Sequence, residues 1–178
     1  PMDNGDTNQS VWWDEKLGKY VIITRRWGGA NTTGRYGRNG HRQKVRSESS
    51  DFLNWSKTEL VMEGLDLRNQ VHDLIVLPHA GIYIGLVGLF DIEASKQWCE
   101  LAWSPNSIDW ERISPGTPLI PNGAYDEYDW GCIFAAKPLV EKDRIRMYYG
   151  ANDGRFMAWR NGFLALGWLR TDGFAGYE

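Results

Sequence analysis

The feature that most constrains the fold is an internal repeat of 63 to 64 residues. Tyr20, Tyr83 and Met147 occupy corresponding places, 63 and 64 residues apart. Each lies in a segment with one plan, an apolar strand, a short turn and then a longer aromatic-rich strand. A repeat of this length indicates one supersecondary unit per repeat. The three segments are Ser10–Trp27, Asp73–Phe90 and Cys132–Ala151.

A second signature follows each segment, a polar corner that carries an aromatic residue. The corners run from Ser47 to Trp55, from Ala102 to Trp110 and from Leu169 to Phe174. Their Ser and Asp side chains can accept hydrogen bonds from the amides of a turn. Four short strands per repeat of about 60 residues are typical of a propeller blade.

Local patterns agree with an all-β fold, since no sustained helical period occurs and the chain combines 24 aromatic residues with 20 glycines. We predict an incomplete β-propeller of about three four-stranded blades, a single partial domain with blades near residues 6–62, 71–114 and 126–178. The third blade lacks an evident last strand after Tyr177. The predicted strands are Ser10–Trp13, Lys19–Trp27, Lys44–Ser47, Glu59–Met62, Val71–Leu77, Ile82–Phe90, Trp98–Trp103, Glu111–Ile113, Gly131–Ala136, Arg144–Tyr149 and Phe163–Arg170.

Several classes of protein are excluded by composition. The longest apolar stretch, Ala80 to Phe90, is about half of the roughly 20 residues that a bilayer requires, so no membrane span is expected. Cys99 and Cys132 form no zinc-binding pair and no disulfide framework, and we expect neither a metal nor a cofactor. No basic-then-apolar leader follows Met2, and the compartment stays open.

Several motifs carry a resemblance to a known family. They are Asp6-Thr7-Asn8, Val11-Trp12-Trp13-Asp14, Ser49-Ser50-Asp51-Phe52 with Trp55, Ser104 with Asp109-Trp110, Met147–Ala151 and Leu169–Phe174. Together they resemble the later blades of five-bladed-propeller glycoside hydrolases, the arabinanase, xylosidase and invertase-like group, and above all bacterial relatives of the invertase family. The resemblance covers nearly the whole chain but only about three-fifths of such a propeller. We therefore expect either missing blades in a parent chain or self-association.

The resemblance implies a central funnel in which carboxylates from different blades cleave a glycosidic bond. Such chemistry requires one protonated and one ionised carboxyl group across the bond. Acids lie where each inner strand is expected to begin: Asp6, Asp73 and Asp129, with Glu127 beside the last. We predict all four as catalytic residues and expect Asp6, Asp73 and Asp129 to converge on one funnel; each is also consistent with a solvated acid that caps a loop.

Four residues are predicted to bind substrate. His72 and Trp130 flank predicted carboxylates, and Trp12 opens the first inner strand, where a tryptophan can stack on a sugar ring. Arg26 belongs to a stretch, Arg25 to Arg46, with seven basic residues and no acid. This stretch is consistent with a solvated loop, with a grip on a sulfated or carboxylated polysaccharide, or less readily with nucleic acid.

The predicted function is thus a glycosidase, or part of one, that acts on an oligosaccharide or polysaccharide, neutral or anionic. The alternative is a non-catalytic carbohydrate-binding or protein-interaction module that keeps the propeller surface without a complete set of acids. The three-blade chain by itself is consistent with either. The sugar, the linkage and the stereochemical outcome stay open.

Overall fold

The computed structural model describes residues 8–28 and 40–174, and all regular structure within them is β-strand. The strands are β1 (Ser10–Asp14), β2 (Lys19–Gly28), β3 (His41–Ser49), β4 (Glu59–Glu63), β5 (Asn69–His79), β6 (Ile82–Asp91), β7 (Lys96–Ser104), β8 (Glu111–Ile113), β9 (Cys132–Ala135), β10 (Leu139–Val140), β11 (Ile145–Asn152) and β12 (Gly162–Leu169). No helix that could cross a membrane is found in these two ranges.

All eleven strands predicted from the sequence are present, most with ends shifted by one to three residues. The strand that the sequence did not predict is β10, which has two residues and pairs with the start of β11. A two-residue strand shows no alternation, so only its hydrogen-bonding partner defines it.

The strands form successive antiparallel meanders. Strands β1 to β4 make one four-stranded sheet in chain order, and β5 to β8 make a second meander, which belongs to an eight-stranded sheet with β9 to β12. In the third, β11 lies between β12 on one side and β9 and β10 on the other. A single parallel pairing of Gln97 with Cys132 joins the second and third meanders. We call these meanders blades 1, 2 and 3, with inner strands β1, β5 and β9.

The core lies between the blades, in two apolar layers. Trp12 and Val21 of blade 1 pack against Leu74, Tyr83 and Val87 of blade 2. Adjacent residues on a strand point to opposite faces, so the other face of β6 supports the second layer. That layer joins blade 2 to blade 3. Its buried members are Leu86, Cys99, Ile120, Ile133, Tyr149 and Ala151.

Blade 2 is therefore covered on both faces, which explains its sequence. Nine of the ten residues of β6 are buried, and the strand reads as a continuous apolar run rather than an alternating one. Gly85 permits close packing here, because a β-carbon at this position would lie 2.6 Å from the ring of Trp110.

The corners after β3 and β7 have the same internal geometry. Asp51 Oδ1 accepts hydrogen bonds from the backbone amides two and three residues later, at 2.9 and 2.7 Å. Asn106 Oδ1 accepts the two equivalent hydrogen bonds, both at 2.9 Å. The residue directly after this acceptor, Phe52 in one corner and Ser107 in the other, has a positive φ of 64° and 62° respectively. The indoles of Trp55 and Trp110 each donate to a corner carbonyl at 3.1 Å. The sequence repeat is thus also a structural repeat.

Candidate functional site

A cavity of about 470 Å³ opens where the inner strands of the three blades come together. Asn8 lies two residues before β1, His72 lies in β5 and Phe134 lies in β9, so each blade supplies a wall residue from its inner strand or from the segment just before it. This volume is within the usual range of small-molecule sites. The other lining residues are Arg25, Trp27, Arg42, Phe156, Met157 and Arg160.

His72 lies at the centre of the polar wall because β5 has an extra residue there. Val71 pairs with Leu89 and Asp73 with Gly88, so His72 is left without a partner across β6. Such a bulge interrupts the alternation and redirects a side chain. The ring of His72 then faces Phe134 and Phe156 edge-on, with centroids 6.0 and 5.2 Å away.

The imidazole of His72 is held through one nitrogen. Nδ1 lies 2.9 Å from Asp73 Oδ1 and 2.9 Å from the side-chain amide of Asn8. A carboxylate only accepts, so Nδ1–H donates to Asp73, and Nδ1 then has no lone pair left to accept an N–H of Asn8. Burial lowers the pKa of His72, although the hydrogen bond and the charge of Asp73 act in the opposite direction. The ring is therefore neutral at neutral pH, with Nε2 as an acceptor or base.

Asp73 lies behind His72 rather than on the cavity wall. Its second oxygen accepts a 2.6 Å hydrogen bond from Gln97, which also donates to the carbonyl of Ile133 in β9. Gly88 makes room for this contact across β6, since a β-carbon there would lie 2.7 Å from Asp73 Oδ2. The structure thus brings the predicted pair His72 and Asp73 together, with the carboxylate orienting the imidazole.

Two other predicted carboxylates lie together in the loop before β9. A β-carbon at Gly123 would overlap the carboxylate oxygens of both Glu127 and Asp129, so the two acids are neighbours. Glu127 accepts the amide hydrogen of Ala124 at 2.6 Å. Asp129 also neighbours the hydroxyl of Tyr149, which lies 3.2 Å from the hydroxyl of Tyr128. Burial raises the pKa of Tyr149, and its hydrogen bonds with Tyr128 and Asp129 raise that pKa further. Neither acid is among the described residues that line the cavity.

The remaining predicted binding residues have different surroundings. Trp12 is buried in the first apolar layer, where its indole donates to Asp14. Trp130 packs edge-on against Tyr125 and lies under the ammonium of Lys96, 4.5 Å from the ring centroid. Arg26 is on the opposite face of β2 from Arg25 and donates to Gln43.

Asp6 lies outside the described residues, two positions before Asn8. The convergence of Asp6, Asp73 and Asp129 therefore stays a prediction. Gln97 connects the surroundings of Asp73 with those of Asp129. Its side chain donates to Asp73, and its backbone carbonyl accepts from the side chain of Asn122. The same Asn122 side chain also donates to the backbone carbonyl of Asp129.

The sequence did not single out the loop between β11 and β12. Phe156 and Arg160 of this loop complete the cavity, and no periodicity or turn motif marks them. Arg25, Trp27 and Arg42 belong to the basic stretch, but the sequence alone could not separate wall residues from solvated ones. In the described ranges, no group of three metal-ligating side chains is found.

The architecture decides which known proteins the chain is like. No protein-family model matches the sequence, and no curated protein matches it. Solved structures do match, and they include glycoside hydrolases of the propeller type. The fold is a partial β-propeller.

Three solved structures illustrate the similarity. An N-acetylgalactosamine deacetylase from F. plautii, in complex with blood group B trisaccharide, has a TM-score of 0.70 at 14% identity over 98% of this chain and 52% of its own. A family 117 glycoside hydrolase from Zobellia galactanivorans has a TM-score of 0.65 at 17% identity, with 98% and 56% covered. A thermostable family-43 glycoside hydrolase has a TM-score of 0.63 at 13% identity, with 99% and 53% covered.

The chain spans about half the length of these matched chains. At such identities the similarity establishes the fold and not the reaction. The three proteins include two glycoside hydrolases and a deacetylase, which cleave different bonds. The reaction has to be argued from the residues of the site.

Proposed function

We propose that this chain is part of a carbohydrate-active propeller that binds an oligosaccharide in the inner-strand cavity and hydrolyses its glycosidic bonds. The observation that carries the proposal is the cavity itself, which is lined by residues of β5 and β9 and by Asn8 just before β1. Trp27 and Phe134 offer apolar faces for a sugar ring, and Asn8 and His72 offer hydrogen-bonding groups.

The proposed chemistry assigns different tasks to the acids. Asp73 positions His72, whose neutral Nε2 accepts a hydrogen bond from a sugar hydroxyl. Asp129 and Glu127, in the loop before β9 and outside the described lining of the cavity, are proposed as the general acid and base that act on a bond of the saccharide extending beyond it, and Asp6 as the acid of the first inner strand. The position of Asp6 two residues before a cavity-lining residue supports this assignment.

The saccharide partners of the structural neighbours agree with this proposal. The deacetylase was crystallised with a blood group B trisaccharide, and another matched structure, a fructan exohydrolase from Cichorium intybus with a TM-score of 0.62, with 1-kestose. We propose a five-bladed ring in the complete protein, with further blades in the parent chain or in an associated copy.

The experiment measures hydrolysis of a panel of aryl glycosides and oligosaccharides by the wild-type chain and by any longer parent chain. We expect Asp6→Asn and Asp129→Asn each to lower the rate at least about 100-fold, because general acid–base catalysis contributes that much or more. Glu59→Gln, on the exposed strand β4, serves as the matched control. Wild-type rates in both aspartate variants would contradict the assigned carboxylates.

A second candidate function is supported by the environment of Asp73. Both of its oxygens are already engaged, by His72 and Gln97, so it lies behind the wall and is not free to attack a bond. A non-catalytic binding module would show saccharide binding by calorimetry but no product. Acetate release from N-acetylated sugars, measured in parallel, distinguishes a deacetylase from both.

A further inference from the structure

The loop between β11 and β12, residues 153–161, exposes two large apolar side chains beside the inner-strand cavity. Met157 lines the cavity and is also 81% exposed, so it lies at the rim. Trp159 follows two residues later and is 93% exposed, the highest value for a large apolar side chain in the described parts of the chain. Apolar side chains exposed singly are common on protein surfaces, but two of them at the rim of one cavity indicate contact with a ligand or partner.

Hydrogen bonds hold both halves of this loop in place. In the first half, Ser95 accepts from the backbone amide of Phe156 at 2.7 Å through its carbonyl and from that of Met157 at 3.1 Å through its hydroxyl. At the end of the loop, the carboxylate of Asp153 accepts from the backbone and side-chain amides of Asn161 at 2.8 and 2.6 Å. The tip of the loop is therefore presented from a fixed backbone, which lowers the entropy cost of binding to it.

The ring of Phe156 packs the loop into the cavity wall. Its centroid lies 4.8 Å from that of Phe90, 5.2 Å from that of His72 and 6.1 Å from that of Phe134. These contacts place one side of the loop in the cavity itself. The exposed indole of Trp159 is thus carried by an element that also forms the wall of the site.

The loop lies at the same end of the blades as the proposed general acid and base. The carbonyl of Asn152, the last residue of β11, accepts from the amide of Gly131 at 2.8 Å, two residues after Asp129. Lys96, the residue after the one that anchors the loop, has its ammonium 4.5 Å from the ring centroid of Trp130. A saccharide longer than the cavity therefore continues over a surface that carries both the loop and the segment with Asp129.

We propose that Trp159 forms an outer subsite, in which its indole stacks on a sugar ring beyond the part of the saccharide that fills the cavity. The inference rests on the proposed function, since it extends the same site by one sugar-binding position. A tryptophan offers a large flat apolar face at a low cost in side-chain entropy, because it has only two side-chain torsions. The outer subsite makes the protein prefer long oligosaccharides over short ones.

The test is calorimetric titration of the wild-type chain with arabino-, xylo- and fructo-oligosaccharides, each series running from the disaccharide to the hexasaccharide. Within a series that binds, we expect the hexasaccharide to bind about 10-fold more tightly than the disaccharide, a gain typical of one stacked ring. Trp159→Ala should lose this gain and bind the disaccharide like wild type. Trp159→Tyr keeps an aromatic ring and should retain part of the gain.

The matched control is Trp13→Ala, at another exposed tryptophan. Trp13 is 43% exposed, lies near the end of β1 that is remote from Asn8, and packs edge-on against Tyr20. This variant should keep the wild-type preference for the hexasaccharide. Because Trp159 is exposed, its replacement by alanine should leave the urea midpoint unchanged, and this result establishes that the variant folds.

The outcomes separate this inference from the proposed function. A wild-type chain without a preference for length, or a Trp159→Ala variant that keeps the preference, would overturn the outer subsite while the carbohydrate site stands. Equal losses for the disaccharide and the hexasaccharide would overturn it as well, since they would place Trp159 within the inner part of the site. Absence of binding by every saccharide would contradict the carbohydrate site itself and the inference with it.

Discussion

Single residues in the interior show how closely the strands are packed, and Gly88 is one example. It lies opposite Asp73 on β6, and a β-carbon would lie 2.7 to 2.9 Å from Asp73 and Gln97. We expect Gly88→Ala to lower the free energy of unfolding by about 2 kcal/mol, because overpacking displaces a buried hydrogen-bonded pair. Urea denaturation of the wild-type chain and the variant measures this change in the free energy of unfolding.

The control for that prediction is Gly167→Ala in β12. There the nearest atom to a new β-carbon is 3.8 Å away, an ordinary contact. Equal losses in the two variants would show that the tight fit around Asp73 contributes nothing to stability.

Asp14 is a second residue whose surroundings lead to a prediction, here about pH. Its buried carboxylate accepts from the hydroxyl of Tyr83 at 2.6 Å, the indole of Trp12 at 3.1 Å and the amides of Lys16 and Leu17 at 3.1 Å. Burial alone would raise the pKa of Asp14, but these hydrogen bonds outweigh it and lower the pKa below 3.8.

A lowered pKa in the folded state means that Asp14 stabilises the protein above pH 3.8 and that this contribution is lost as the pH falls below it. We expect Asp14→Asn to lower the free energy of unfolding at pH 7 by about 2 kcal/mol and to flatten its decline in acid. Tyr83→Phe, which keeps the carboxylate, should move the acid transition to higher pH. An unchanged acid slope in Asp14→Asn would contradict the assignment.

Among the structural elements, the two repeated corners provide a matched comparison. Their hydrogen bonds are alike, yet Trp110 packs on the first apolar layer and over Gly85, whereas the ring contact of Trp55 is with Phe52. We expect Trp110→Ala to lower the free energy of unfolding by about 3 kcal/mol and Trp55→Ala by less than half of that. Equal losses would show that the corner hydrogen bonds, not the packing, account for the effect.

At the scale of the whole molecule, we predict self-association through the exposed apolar face of β12 in blade 3. Leu164, Leu166 and Trp168 alternate along β12 and are 79, 52 and 66% exposed. Faces of this kind in blades 1 and 2 are covered by a neighbouring blade, and large exposed apolar patches usually meet a partner. We expect sedimentation velocity to show concentration-dependent association of the wild-type chain.

Substitution of the centre of that face tests the prediction. Leu166→Lys should shift the chain towards monomer, while Leu67→Lys, at an exposed leucine before β5, should leave association unchanged. A wild-type chain that stays monomeric at high concentration would contradict it.

The sequence by itself determined the strands and the corners of this protein, because both depend on neighbouring residues. Alternation and apolar runs mark strands such as β6, and Ser and Asp mark the corners, where a side chain binds its own backbone; in the second corner the acceptor is Asn106, which the sequence did not single out. The repeat of these local signals, together with the resemblance that they carry, was enough to predict an incomplete propeller. The sequence also placed Asp73 before the second inner strand; that was wrong, because β5 begins at Asn69 and Asp73 is its fifth residue.

Only the tertiary structure decided which side chains share the cavity. The bulge at His72 depends on the pairing of β5 with β6, and the place of Arg160 depends on how the loop of blade 3 returns towards blade 1. Trp12, which the sequence offered as a sugar contact, lies in the core because blade 2 covers it. Contacts of this kind join residues more than 60 positions apart, and no local pattern encodes them.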